Sequence, residues 1–238
     1  MTVQPFKSLI LELLQQGHHD EEAFLQELSE AELNANGTWK LWSVKDHMAH
    51  KTFWHQHLIE KLTAILQHQA LPPGEEDEEQ LNSITFEKHK LQPFSALHAE
   101  SERVYVQLIK IVEQLSEEEL TTSRRFSAIS DDYPLYTVFL GSCYEHDEEH
   151  LAYYYKDRHD LLRAIQIRER CASRIMQAEI VPDWVKGSFL YNLACFYTEQ
   201  KQWENAAARL QEAVARNPDL KERAKSDPEL AALHNQSA

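Results

Sequence analysis

The stretch Cys143-Tyr144-Glu145-His146-Asp147-Glu148-Glu149-His150-Leu151-Ala152-Tyr153-Tyr154 decides how this chain reads. His146 and His150 are four apart, so on a helix their side chains sit one turn above the other on a shared face. Outward from them, Phe139, Cys143, His146, His150 and Tyr153 follow at spacings of four, three, four and three, the seam spacing of a helix packed in a bundle. Both imidazoles therefore stand where an apolar side chain is expected, and burying two such groups without partners costs free energy. Two arrangements offset that cost: a metal ion shared between them with a third ligand from a facing helix, or hydrogen bonds to neighbouring core groups. A bare pair at this spacing leaves both open.

The rest of the composition narrows the class. A chain of 238 residues can bury a proper core in one or two domains. The formal charge of −15 repels phosphate backbones and anionic lipid, which argues against nucleic-acid or membrane-surface partners. No apolar run is long enough to span a bilayer. The stretch from Met1 to Leu14 lacks the basic segment and small-residue cleavage site of a secretory signal. Cys143, Cys171 and Cys195 lie far apart, without metal-type pairing. A disulfide framework is not expected, and a reducing cytoplasm fits best. Only five glycines occur, and long segments carry a 3.6-residue period, so the expected fold class is all-α.

Taken in order, a first helix is expected from about Pro5 to Leu28, loosened or broken at Gly17-His18-His19-Asp20, with that histidine pair in solvent. Ser29 and Glu32 form a capping-box signature. After Asn36-Gly37, Ser43 opens a second helix with Val44, Met48, Trp54, Leu58, Leu62 and Ile65 among its apolar positions. His47 lies nearer the centre of that stripe and His50 at its edge beside Trp54, and periodicity does not choose between them. Leu71-Pro72-Pro73-Gly74 ends this helix. Glu75-Glu76-Asp77-Glu78-Glu79 reads as a solvated loop or helix start, and Asn82 to Lys90 as a short helix or link. Phe94, Leu97, Ser101, Val104, Leu108, Ile111 and Leu115 make the seam of a third long helix. Leu115-Ser116-Glu117-Glu118-Glu119-Leu120 then echoes Leu28 to Leu33. Arg124 and Arg125, in the connector from Thr121 to Pro134, are expected to pair with nearby carboxylates. A fourth helix, from about Leu135 to Arg158, carries the histidine pair. From Leu161 the composition turns alanine-rich. Leu190, Leu193, Ala194, Tyr197, Ala206, Leu210, Ala213 and Pro218 sit at the offsets of a tetratricopeptide repeat, with leucine in place of the usual tryptophan. One such repeat cannot bury its own apolar face. It is expected to lean on the Leu161–Ala178 helix, on the bundle, or on a second copy of the chain in a homodimer.

Two segments resemble a known family. Trp42-Ser43-Val44-Lys45-Asp46-His47-Met48-Ala49-His50 with Trp54, and Cys143 to His150, resemble the second- and fourth-helix motifs of the DinB-like four-helix-bundle superfamily. Asn82 and the Tyr-Glu-His run look most like its ClbS/DfsB-like branch. The likeness covers about Val3 to Arg158. It implies a DinB-like four-helix bundle over residues 1–158, to which the repeat offsets add a small TPR-like helical domain over 159–238. A bundle with such an appended repeat departs from the family's usual single-domain layout. The resemblance also implies that His50, His146 and His150 hold a divalent transition metal such as zinc, nickel or iron, with His47 supporting them and Trp54 in the pocket.

Three neutral imidazoles leave coordination positions open for water or substrate. The family chemistries that follow are hydrolysis of a reactive electrophile and transfer of a low-molecular-weight thiol, both on small molecules. Tyr153, three residues beyond His150, is placed to donate a proton. Glu145, Asp147 and Glu149 are expected on other, solvated faces. The competing reading is a scaffold that binds a peptide or protein through Trp184, Tyr191 and Phe196 of the repeat.

Overall fold

The computed structural model describes residues 4–72 and 77–236. Pro73, Gly74, Glu75 and Glu76, where the second long helix was expected to give way to an acidic loop, lie outside the described residues. The fold is all-helical. Among the described residues there is no strand, only an isolated bridge between Thr38 and Leu41. The chain packs as two units, Pro5–Ala164 and the part from Ile165 onward.

In the first unit, α1 (Phe6–Gln26) runs unbroken through Gly17 and buries Phe6, Leu9, Ile10, Leu13, Leu14, Phe24 and Leu25. The expected break does not occur. One helical glycine costs about 1 kcal/mol, and the apolar residues on both sides of it are packed. A Cβ at Gly17 would meet the Tyr144 ring at 3.5 Å, an ordinary contact. The short α2 (Glu30–Leu33) is held by the Ser29–Glu32 capping box. A second box starts α3 (Val44–Leu66), where the Ser43 backbone N–H donates to Asp46 Oδ2 at 2.7 Å. Gly37 is pressed against that box, and a side chain there would collide with the Asp46 carboxylate.

Next come α4 (Glu78–His89), α5 (Phe94–Gln114), α6 (Glu117–Thr121), α7 (Ser127–Ser130) and α8 (Tyr136–Val138). Leu97, Val104, Leu108, Ile111 and Leu115 are buried along the expected α5 seam. Arg124 and Arg125 pair with Asp132 and Glu119, at 3.0 and 3.1 Å. The fourth long helix is not uniformly α-helical. A π-helical segment, Phe139–Glu145, leads directly into α9 (His146–Lys156). The wider π turn lets adjacent residues Cys143 and Tyr144 both face the core, at 0 and 1 % exposure. α1 packs against α5 and the π–α9 helix, and α3 packs against the same two.

The second unit holds most of α10 (Leu161–Gln177), then α11 (Asp183–Glu199) and α12 (Trp203–Arg216). α13 (Leu220–Ser226), a 3-10 turn at Pro228–Leu230 and α14 (Ala231–Gln236) complete it. Helix α13 breaks at Asp227-Pro228, with Asp227 accepting from the Glu229 N–H at 3.0 Å. α11 and α12 form an antiparallel hairpin, with Arg216 reaching back to Asp183 at 2.8 Å. Gly187 marks a close approach of the two helices. A Cβ there would sit 2.8 Å from Asn217 Cβ and 2.9 Å from the Ala213 carbonyl oxygen. Gly187→Ala is expected to lower stability by about 1–3 kcal/mol, the usual cost of overpacking. The check is a reduced urea midpoint. Gly141→Ala, where a Cβ meets nothing within 4 Å, serves as the neutral control.

A candidate metal centre between two helices

α3 and α9 run antiparallel where they meet, His47 lying opposite His150 and His50 opposite His146. His146 Nε2 lies 3.3 Å from His50 Nε2 and 3.1 Å from His150 Nε2. With metal–nitrogen bonds of about 2.0–2.1 Å, two ligands of a tetrahedral zinc stand about 3.3 Å apart. Two of the three edges therefore already have the spacing of a shared coordination shell, and all three donors fall within 4.8 Å of one another.

Their other ring nitrogens are accounted for unevenly. His150 Nδ1 faces His47 Nδ1 at 2.9 Å. Leaving His150 Nε2 bare puts its proton on Nδ1, which donates to His47 and fixes the tautomers of both rings. His50 Nδ1, His146 Nδ1 and His47 Nε2 are buried without hydrogen-bond partners. Three nitrogens pointed at one spot cannot all satisfy each other, because a neutral imidazole has one donor and one acceptor. A cation would accept all three lone pairs at once, so the residues present fit a divalent metal.

Electrostatics keep those lone pairs free. Burial, followed by the charge of Lys51, pushes His47 down to about 3. Burial and the neighbouring His146 push His50 down to about 3, against the opposing pull of the Asn82 amide. Burial also lowers His146, and it carries His150 well below the ordinary range, with help from His146 and His47. All four rings are therefore neutral at pH 7, as metal ligation requires.

A folded pKa below the unfolded one means that the unfolded chain takes up more protons in acid. The stability from His47 and His50 is thus complete above about pH 6.5 and is lost as pH falls toward 3, at about 1.4 kcal/mol per ring per pH unit, and His146 and His150 act in the same direction. In chelator-treated protein the urea midpoint is expected to fall between pH 7.5 and pH 5, and to fall less in His50→Ala.

Trp54 and Tyr153, both expected at the site, stand beside the cluster, and Trp42, which had been given no role of its own, joins them. Trp42 stacks on the His150 ring at 5.8 Å with planes 9° apart, and lies 5.2 Å from His50. Trp54 donates from Nε1 to Asn82 Oδ1 at 3.0 Å and stands 6.3 Å from the His50 ring. Tyr153 lies edge-on to His150 at 6.0 Å, its hydroxyl donating to Glu149 at 3.0 Å.

Asp147 departs from expectation. Its carboxylate faces His55 at 3.3 Å instead of open solvent. Burial alone would raise it, but the charges of His55 and Lys51 hold it down at about 2. Glu145 is also buried, at 8 % exposure. Lys51 in turn pairs with Glu21 at 2.6 Å. A charged layer of Glu21, Lys51, His55 and Asp147 thus lies beside the imidazole cluster.

Comparison with family models, curated proteins and solved structures found no match for this chain. Of the three residues expected to bind a partner, Tyr191 and Phe196 are 1 and 5 % exposed and belong to the core of the second unit, the Tyr191 hydroxyl donating to Asp227 at 2.6 Å. Trp184 is half-buried.

Proposed function

We propose that this chain is a DinB-like, metal-dependent enzyme acting on a small molecule, with His50, His146 and His150 as the metal ligands. The observation that carries this reading is the convergence of three neutral imidazole nitrogens at 3.1 and 3.3 Å. A divalent cation held there would supply Lewis-acid activation of water or of a thiol near neutral pH. The chain's own groups then have distinct tasks. His47 fixes the His150 tautomer through their Nδ1 contact. Trp42, flat on His150, shields one side of the cluster from bulk water. Trp54, held by Asn82, forms a second aromatic wall. Tyr153 can deliver a proton to a leaving group and recover it through Glu149, its present hydrogen-bond partner.

This assignment covers hydrolysis of a reactive electrophile and transfer of a low-molecular-weight thiol. The test is product formation from a simple epoxide by the zinc- or nickel-loaded protein, with and without a small thiol. Product that requires His150 and a thiol identifies a transferase. Hydrolysis without thiol identifies a hydrolase. Equal rates for wild type and His150→Ala would refute the assignment. The α11–α12 hairpin is read as the TPR-like repeat. Burial of Tyr191 and Phe196 weighs against those side chains serving as a scaffold's peptide-binding surface.

A further inference from the structure

We propose a second divalent-transition-metal site, formed by His18 and Glu22 of α1 with Glu102 of α5, and backed by His98 of α5. It shares no residue with the histidine cluster between α3 and α9. Each helix contributes a histidine and a glutamate four residues apart, so each pair lies on one face as a two-toothed clamp. The helices run antiparallel here, which sets the histidine of one clamp opposite the glutamate of the other. His98 Nε2 lies 2.9 Å from Glu22 Oε1, and His18 Nε2 lies 3.5 Å from Glu102 Oε1. His18, Glu22 and Glu102 offer ligand atoms that are all within 4.8 Å of one another.

His98 and Glu22, at 2.9 Å, make an ordinary hydrogen bond, whereas His18 and Glu102 do not. The 3.5 Å separation is long for a hydrogen bond but close to the edge of a tetrahedral zinc shell, about 3.3 Å. One imidazole and two carboxylates are zinc-type ligands that leave room for water, and the carboxylates offset the ion's charge. The rings are held in place before any ion arrives. His18 stacks on Tyr105 at 3.9 Å with planes 12° apart, and His98 stacks on Phe94 at 5.5 Å and 24°. All four residues are half-buried, open enough for an ion to enter. The chain's net charge of −15 also draws cations toward it. Filled, the site would tie α1 to α5 as a structural cross-link.

The experiment is zinc titration by calorimetry on the untagged full chain, with circular dichroism confirming that each variant keeps its helical content. Wild type is expected to bind two zinc ions, and His18→Ala/His98→Ala one. His146→Ala, which removes a ligand of the other cluster, is expected to retain one ion that disappears in the His18→Ala/His98→Ala/His146→Ala protein. Glu102→Gln, nearly the same size and less able to perturb packing, should weaken that retained event at least tenfold. Binding unchanged by His18→Ala/His98→Ala would overturn the proposal, as would absence of any zinc from folded His146→Ala. A single wild-type equivalent lost with His18 and His98 would support this site while contradicting the other.

Discussion

His146→Ala is expected to weaken metal binding by at least about a hundredfold. Apparent binding free energies for four-ligand structural zinc sites are about 10–16 kcal/mol, so one ligand accounts for roughly 3 kcal/mol. His146 is the sharpest position to test because its Nε2 lies within 3.3 Å of both other donors. The same substitution should have the opposite character in metal-free protein. There it removes one of three converging nitrogens that cannot all be satisfied, together with a buried Nδ1 that has no hydrogen-bond partner. Chelator-treated His146→Ala is therefore expected to be nearly as stable as chelator-treated wild type, the cost appearing only when metal is present. Competition with a zinc indicator and urea unfolding with and without chelator provide the two measurements. A large loss of stability in both conditions would mean that His146 is an ordinary core residue.

Lys51→Met is expected to be the most damaging charge deletion, costing about 3–5 kcal/mol, as when one partner of a buried ion pair is removed. The substitution keeps most of the aliphatic stem, so its effect isolates the charge. It leaves Glu21, 2.6 Å from the ammonium in wild type, without its cation. Burial pushes Lys51 toward neutrality, but Glu21 and Asp147 overcome that and hold its pKa above the usual lysine value. Adding Glu21→Gln should recover part of the loss, and chemical unfolding of the four proteins of that cycle gives the coupling. A second effect has the other sign. The Lys51 charge lowers the basicity of His47, His50, His146 and His150. Lys51→Met should therefore bind metal somewhat more tightly while unfolding more easily, a combination that general loosening of the core would not produce.

These two residues show what the sequence disclosed and what it concealed. The shared face of His146 and His150 was legible from their spacing, and their rings do lie 4.5 Å apart. The choice of His50 over His47 was not, since periodicity placed His47 nearer the stripe centre. In the fold both take part, His50 turning Nε2 toward His146 and His47 backing His150. Lys51 and His55 had a signal that went unused. Val44, Met48, Lys51, His55, Leu58 and Leu62 keep strict four-three spacing, and all six are buried. A lysine in a seam points to a buried carboxylate, but which one depends on packing between helices. Here it is Glu21 of α1, while Asp147 of α9 pairs with His55, and neither partner can be read from the spacing within one helix. No local residue pattern announced the π-helical segment before α9. The capping boxes at Ser29 and Ser116 and the α5 seam needed only nearby residues; both boxes are present, and the seam is buried except at Phe94 and Ser101, which are half-buried.

Crystals grown with zinc and measured across its absorption edge test the central claim most directly. An anomalous peak is expected about 2.0–2.1 Å from Nε2 of His50, His146 and His150 together. That peak should vanish in His146→Ala without displacement of α3 or α9. Well-ordered imidazoles with no peak between them, or Nε2 atoms spread too far apart to reach one ion, would contradict it.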